Sequence, residues 1–467
     1  MKRIFILCIA GLLALSAVAQ NGYKISLKIT GASYSSLLLT TYYGNKIKLV
    51  DTAFAVHPGL YVFEGNHPLD GGIYMAVSPK KVKLFEFVVN KNQQFTLQTD
   101  TAEFVMHMKV KNSRENELFF SYLQFNDGIY RQIKALRASL TKENRESPTY
   151  KKLQQKIDSL NKASADYKLQ IIRKYPDLFV SRLFDAMREV EVPKNHPVSD
   201  SLYGYHYLRN HFWDHFRLND PRLLHTPLYD RKIKAYFKHL VPFHPDSVIA
   251  SIDKVIALAR PSNECVSQLV WYFTVEYQNP KYMGFDKVFV HMVDRYFATE
   301  AIKNTTPSIK KLLLDRADKI RPLLIGKPAP DLILVDTSGN YVGFRSIKQK
   351  FTLLFFWDYH CSICKKEIGQ LIPMYKSEAK KMGLEVYAIS INPDLKKWKE
   401  AVRNRHLPWI NVNGTHSMKG DFTKQYDIHG TPQLYLLNEK KEIIAKQFSV
   451  DQLRLIINEY LLKEKTD

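Results

Sequence analysis

Cysteine is scarce in this chain, four among 467 residues, and that scarcity excludes a fold held together by a disulfide framework. None is required, because at roughly 100–200 residues per domain the length suggests about three domains, each large enough for its own core. After the first residues no apolar run is long enough to span a bilayer. Charge is not gathered into a block: the formal net charge of +22 is spread along the chain. It reads as a solvated basic surface with weak affinity for anionic envelope components.

The N-terminus carries the pattern of an export signal. Lys2 and Arg3 form a basic region, Ile4 to Leu15 an apolar core, and Ala17-Val18-Ala19 a small-residue cleavage site. Residues 1–19 are expected to be removed and the mature chain to start at Gln20, without the cysteine that a lipoprotein signal places there. The expectation is an exported, soluble, periplasmic protein, for which nucleic acid is not a partner. Cys8 leaves with the signal, and Cys265 stands alone in an amphipathic segment as a small apolar side chain. Only Cys361 and Cys364 can pair locally.

Three regions follow. Residues 20–112 show strand periodicity, as in Tyr23–Ile29, Leu60–Phe63 and Phe95–Leu97, punctuated by Gly31, Pro58-Gly59, Asp70-Gly71-Gly72 and Asn90-Lys91-Asn92. That predicts a small antiparallel β domain, a sandwich or barrel. Residues 113–321 change period: Ile129, Ile133, Leu136 and Leu140, then Leu153, Ile157, Leu160, Tyr167 and Ile171, mark two long helices turned near Ser147-Pro148. More helical segments follow, and internal repeats are absent, so an all-α domain is expected.

Residues 322–467 begin with a stiff connector, Ile325-Gly326-Lys327-Pro328-Ala329-Pro330. Strands at 332–335, 351–357, 384–389, 433–437 and 442–446 then alternate with helices from about 361 to 381, 395 to 405 and near 418–426. A last helix is capped by Ser449-Val450-Asp451-Gln452. That order predicts an α/β domain.

Cys361-Ser362-Ile363-Cys364 lies where the apolar strand Phe351–Trp357 meets a helix. Two thiols at this spacing can close a disulfide within one turn, and unpaired N–H groups at a helix N-terminus favour a thiolate on the first sulfur. The chemistry is thiol–disulfide exchange, with Cys361 as nucleophile and Cys364 resolving the mixed disulfide. A structural disulfide or half of a metal site is the other reading of the pair, but a metal would need four ligands and only His360 and His429 are candidates to join it. Glu367, three residues past Cys364 on the same helix, either takes the Cys364 proton or is a solvated surface group. Trp357 is expected to pack under the active-site loop. His360 either stabilises the Cys361 thiolate when protonated or is a rim histidine without a role. His211 and His215 have metal-ligand spacing, yet no Glu follows His211, so a structural role is expected.

Residues 325–462 resemble the TlpA/ResA-type thiol-disulfide oxidoreductases, AhpC/TSA-related redoxins of thioredoxin-like fold. The segments that carry the resemblance are Gly326-Lys327-Pro328-Ala329-Pro330-Asp331, Phe356-Trp357, Cys364-Lys365-Lys366-Glu367 and Gly430-Thr431-Pro432-Gln433 through Asn438. The two upstream regions resemble the accessory domains of multi-domain exported redoxins. The resemblance implies a disulfide reductase or isomerase without cofactor or metal, working on disulfide-containing exported proteins and recharged by a membrane thiol donor. It implies a cis Pro432 opposite the cysteine pair, with the Thr431 backbone receiving an extended substrate. It points to the same base role for Glu367. Three positions depart from the family: His360 replaces a second Trp, Phe355 stands where thioredoxin keeps a buried acid, and Ser362-Ile363 replaces the usual dipeptides.

Two competing functions are a thiol peroxidase and an envelope-binding module with a regulatory redox domain. Peroxiredoxins need a Thr or Ser three residues before the reactive Cys, and Asp358 stands there.

Overall fold

The computed structural model describes residues 22–140, 145–193, 201–299, 302 and 305–464, so the expected export signal at residues 1–19 lies outside them. The chain packs as two compact units. One runs to Val241 and includes Val255–Val266; the other comprises Pro242–Lys254 and Ser267–Asp467.

In the first unit, alternating apolar residues produce eight strands: β1 Tyr23–Thr30, β2 Ser36–Tyr43, β3 Lys46–His57, β4 Leu60–Gly65, β5 Gly72–Val77, β6 Lys83–Val89, β7 Gln94–Asp100 and β8 Lys109–Lys111. Their order is β6-β5-β2-β3-β4-β1-β7-β8. The alternation works as expected for a sheet with one covered face: Ile25, Leu27 and Ile29 are buried while Lys24 and Lys28 are not. The Pro58-Gly59 turn between β3 and β4 needs glycine, because φ is +80° and a Cβ at Gly59 would stand 2.6 Å from the Ile29 carbonyl oxygen. The sheet is antiparallel except for one pair. β1 runs parallel to β7, with Ile25 opposite Phe95 and Leu27 opposite Leu97, a pairing across about 70 residues that local periodicity cannot reveal.

The helices α1 Arg114–Leu140 and α2 Pro148–Lys174 form the expected pair. Ile129, Ile133 and Ile157 share one buried cluster with Leu136, Leu140 and Leu160 against it. Ser147 caps α2 by accepting the Tyr150 N–H at 3.0 Å. Shorter helices follow: α3 Phe179–Ala186, α4 Tyr203–His211, α5 Pro221–Leu224, α6 Pro227–His239, α7 Pro245–Leu258, α8 Asn263–Gln278, α9 Asp286–Met292 and α10 Pro307–Ile320. Proline opens four of these shorter helices, and α2 as well, at their first turns, where its missing N–H costs nothing.

The second unit contains a seven-stranded sheet, β9 Ile333–Asp336, β10 Tyr341–Gly343, β11 Phe351–Trp357, β12 Leu384–Ser390, β13 Ile410–Asn413, β14 Gln433–Leu437 and β15 Ile443–Lys446, in the order β10-β9-β13-β12-β11-β14-β15. With it go α11 Ser362–Met382, α12 Leu395–Asn404, α13 Phe422–Gln425 and α14 Leu453–Lys463. β11 lies between parallel β12 and antiparallel β14, and all seven of its residues are buried. Its alternation feeds two cores. Phe351, Leu353, Phe355 and Trp357 join Cys364, Ile368 and Leu371 of α11 on one face, and Leu354 and Phe356 join Tyr387, Tyr426 and Tyr435 on the other. Gln452 accepts the Ser449 N–H at 3.1 Å, completing the expected cap, with a short 3₁₀ turn before α14.

Helical and α/β parts are tied within this unit. The Lys446 ammonium on β15 is buried, pairs with Asp286 at the start of α9, and donates to the Leu323 carbonyl at 2.6 Å. Arg316 of α10 donates to both carboxylate oxygens of Asp427, at 2.5 and 2.6 Å.

Asn116 of α1 shows how a helix is fastened to the first sheet. It is fully buried; its Oδ1 accepts the Val88 N–H at 2.7 Å and its Nδ2 donates to the Val88 carbonyl at 2.8 Å. Replacing it by Ala leaves both backbone groups of β6 buried without partners. Asn116→Ala is expected to lower unfolding free energy by about 2–4 kcal/mol, read by denaturant titration, and a loss below about 0.5 kcal/mol would show that the amide is not the fastening.

Candidate active site

The strand that feeds both cores ends at Trp357, and its chain must turn out of the sheet before it can start α11. Trp357 is fully buried among the first core, with the Arg405 guanidinium 6.0 Å from its ring; it supports the loop and cannot touch a substrate. The turn runs Asp358–Cys361. Its backbone closes by Cys361 N–H to the Asp358 carbonyl at 3.1 Å, and α11 then begins with Lys365 N–H to the Cys361 carbonyl at 3.2 Å.

This places Cys361 at the N-cap of α11, where a side-chain oxygen usually accepts a free helix N–H. Here the sulfur does so: Cys361 Sγ accepts the Cys364 N–H at 3.1 Å. It also lies 3.3 Å from the Thr431 carbonyl, to which the protonated thiol donates. Partial burial opposes the Cys361 thiolate, but hydrogen bonds from the Cys364 thiol, the Cys364 N–H, the Thr431 hydroxyl and the Ile363 N–H outweigh it. Its pKa falls below the ordinary thiol value of 9.0. Cys364, one turn on, is fully buried. Burial pushes its thiol up to about 12, helped by the neighbouring Cys361, while the Asp358 N–H and Thr431 pull the other way. Both cysteines are free thiols; the partly accessible Cys361 ionises more readily than an ordinary thiol and the shielded Cys364 less readily.

The other expected residues fall around them. The Thr431–Pro432 peptide is cis, and the Thr431 backbone is the protein surface against the Cys361 sulfur. His360 is exposed, with its ring tilted at 49° against Tyr359 and the centroids 4.4 Å apart. Glu367 is not a solvated surface group. It is 7% exposed, and its Oε2 accepts the Val450 N–H at 2.6 Å, where the chain enters the turn before α14. Phe355, at the place of thioredoxin's acid, is fully buried on the α11 side of the sheet.

Among the described residues no group of three or more His, Cys, Asp or Glu side chains is placed to hold a metal ion, and the histidines weighed as ligands lie apart. His429 bonds Asp427 at 3.0 Å, His211 bonds Asp214 at 2.8 Å, and His215 faces Asp185 at 3.4 Å. Cys265 is fully buried, and burial raises its thiol to about 11, as suits a packing residue. Asp358 and Asn392 belong to the site but were missed in sequence. Asp358 accepts the His360 N–H at 2.7 Å, an Asx turn that an Asp two residues before His360 could have signalled.

Residues 325–446 match the AhpC/TSA family. Residues 139–322 and 23–119 match two domains of unknown function, DUF5106 and DUF4369. The thiol-disulfide oxidoreductase ResA of Bacillus subtilis is 28% identical over 120 residues, which are 26% of this chain and 64% of that protein. ResA of Bacillus thuringiensis subsp. konkukian is 26% identical over 143 residues, covering 30% of this chain and 78% of the relative. Among solved structures, a domain of a possible thiol-disulfide isomerase from Cytophaga hutchinsonii is 36% identical, covering 31% of this chain and 99% of its own, at a TM-score of 0.30.

The thiolate is the reactive form of cysteine, so a lowered pKa means more reactive sulfur at a given pH and a raised one means less. In the reduced chain at neutral pH, Cys361 is expected to alkylate at least about a hundredfold faster than Cys364. Its rate should climb through a midpoint below pH 9.0, while Cys364 stays protected toward about 12. Mass spectrometry of tryptic peptides across a pH series measures both rates, and equal rates at neutral pH contradict the assignment.

Proposed function

The C-terminal domain of this chain is a TlpA/ResA-type thioredoxin-like redoxin, and from that premise we propose that the whole protein is a periplasmic thiol-disulfide oxidoreductase that reduces or isomerises disulfides of exported proteins. The observation that carries the reading is the Cys361 sulfur at the N-cap of α11, bonded by the Cys364 N–H at 3.1 Å. The proposal divides the chain into a signal at 1–19, a β domain at 20–112, a helical domain at 113–321 and a redox domain at 322–467.

In the proposed reaction the substrate strand lies along Thr431 and Pro432 beside the sulfur. The Cys361 thiolate attacks one sulfur of the substrate disulfide; a Cys361–substrate bond forms, and the other substrate sulfur leaves as a thiolate that water protonates. Cys364 then gives up its proton and attacks the Cys361 sulfur. The Cys361–Cys364 bond forms, the mixed disulfide breaks, and the substrate is released with two thiols. Glu367, buried one turn beyond Cys364, is the proposed acceptor of that proton. His360 at the rim and Trp357 beneath the loop shape the substrate edge. The pair, now oxidised by two electrons, is reduced again by a membrane thiol donor, which an oxidising compartment makes necessary.

Variants of the full chain test this. Cys361→Ser is expected to reduce the rate of reduction of a model protein disulfide by at least about a thousandfold, since the attacking sulfur is gone. Cys364→Ser should accumulate a Cys361–substrate mixed disulfide visible on non-reducing gels. Activity surviving in Cys361→Ser rules the reading out.

The direction of electron flow is checked in cells by acid quenching and alkylation. The pair is expected to be largely reduced and to become oxidised when the thiol donor is removed. A pair that is oxidised throughout, whether or not the donor is present, points to an oxidase or an idle disulfide.

A further inference from the structure

The loop 426–432 between α13 and β14 leads to the active site, where the Thr431 carbonyl receives the Cys361 thiol at 3.3 Å. Beside this loop, in the same compact unit, lies a cavity of about 290 Å³. His429 and Gln433, which flank the Thr431–Pro432 peptide in sequence, are on its wall, and so is Asp427. Helical residues complete the wall: Gln278 at the end of α8, Asn279 after it, and Arg316 of α10. A space of this size suits one side chain of a larger substrate better than a whole cofactor.

Most charges around the cavity already have partners. Lys446 pairs with Asp286. Both Asp427 oxygens accept from a single nitrogen of Arg316, Nη1, at 2.5 and 2.6 Å, and the His429 Nε2 lies 3.0 Å from Oδ1. The rest of the guanidinium is unused: among the described residues Arg316 Nε and Nη2 take no partner, and the side chain is 26% exposed. A guanidinium offers its donors in pairs, and the Nε–Nη2 edge matches the two oxygens of a carboxylate. Asp427 thus fixes Arg316 by one nitrogen and leaves that edge available. Gln278 and Asn279 carry no charge that would repel an anion.

Resting on the proposed thiol exchange, we propose that this cavity is a substrate subsite: it takes a carboxylate side chain, Glu or Asp, that stands close in sequence to the reacting cysteine of the substrate, and Arg316 binds it. An extended strand advances about 3.3 Å per residue, so a substrate lying along Thr431 brings a side chain near its own cysteine to the wall formed by His429 and Gln433. The α/β part supplies the sulfurs, and the helical residues supply a choice among substrates.

Peptides with one cysteine, joined through a disulfide to the coloured thiol 2-nitro-5-thiobenzoate, test this against the reduced full chain. The Cys361 thiolate bonds to the peptide sulfur, the peptide–reporter bond breaks, and the reporter leaves as a thiolate whose absorbance gives the rate constant. A single Glu, or Gln in its place, is moved through the positions on either side of the cysteine, so every Glu peptide has the same net charge. At one position or two adjacent ones, Glu is expected to react at least about tenfold faster than Gln, as for a charge-assisted hydrogen bond that only one of them makes. Elsewhere the ratio should stay within about threefold, the share left to the basic surface. Arg316→Gln should bring the large ratio below about threefold, and Asn279→Asp, which adds a repelling carboxylate to the wall without touching the Arg316–Asp427 pair, should lower it at least about threefold. Both peptides meet the same protein, so a loosened fold slows both and leaves the ratio unmoved. A Glu preference equal at all positions, or one that survives in Arg316→Gln or is unchanged in Asn279→Asp, overturns the subsite. A wild-type chain that releases no reporter from any peptide overturns the thiol-exchange reading, and this inference with it.

Discussion

Burial of β11 on both faces is the constraint from which the redox chemistry follows. Seven consecutive buried residues, at about 1.5–3 kcal/mol for each large apolar side chain removed from water, hold the strand in one register between β12 and β14. A strand held that firmly ends at a defined point. The four-residue turn after it can then set a sulfur at the first free N–H groups of α11 with little positional freedom. The accessible, more readily ionised thiol of Cys361 results from a core that cannot slide.

The same core separates the two cysteines chemically. Cys361 stands just before the helix, where N–H groups are unpaired. Cys364 has been carried one turn inward, against Phe355 and Trp357. Desolvation costs a buried thiolate heavily and a rim thiolate little, so one geometric step of three residues makes one of two identical side chains easier to ionise and the other harder. Glu367 extends the pattern: a buried carboxylate bonded by the Val450 N–H sits one turn beyond Cys364, whose proton it is proposed to accept.

Strand delivery of a cysteine pair to a helix was legible in sequence because it is written locally, as a seven-residue apolar run followed at once by the motif. The α1–α2 pairing was legible for the same reason, through a period kept over many turns. β10 and β13 were not foreseen. Tyr341–Gly343 is too short to show alternation, and Ile410–Asn413 alternates apolar with buried Asn411 and Asn413, which reads as loop chemistry until their amides are seen bonded in the interior. The parallel β1–β7 pair, the Glu367–Val450 bond across 83 positions and the Asn392–Asp358 bond across 34 depend on which distant backbone arrives alongside. Composition and spacing are silent about that.

The Lys446–Asp286 pair bears on how the molecule can be divided. The ammonium belongs to the α/β sheet and its carboxylate to a helix that comes well before the Ile325–Pro330 connector. An excised segment starting at residue 322 would keep the cation and lose its counter-ion, together with the Arg316 partner of Asp427. Severing one side of a buried ion pair commonly costs about 3–5 kcal/mol, a large share of what a domain of that size has in reserve. Redox properties measured on such a fragment would describe a loosened protein, so the smallest faithful unit for biochemistry retains α9 and α10.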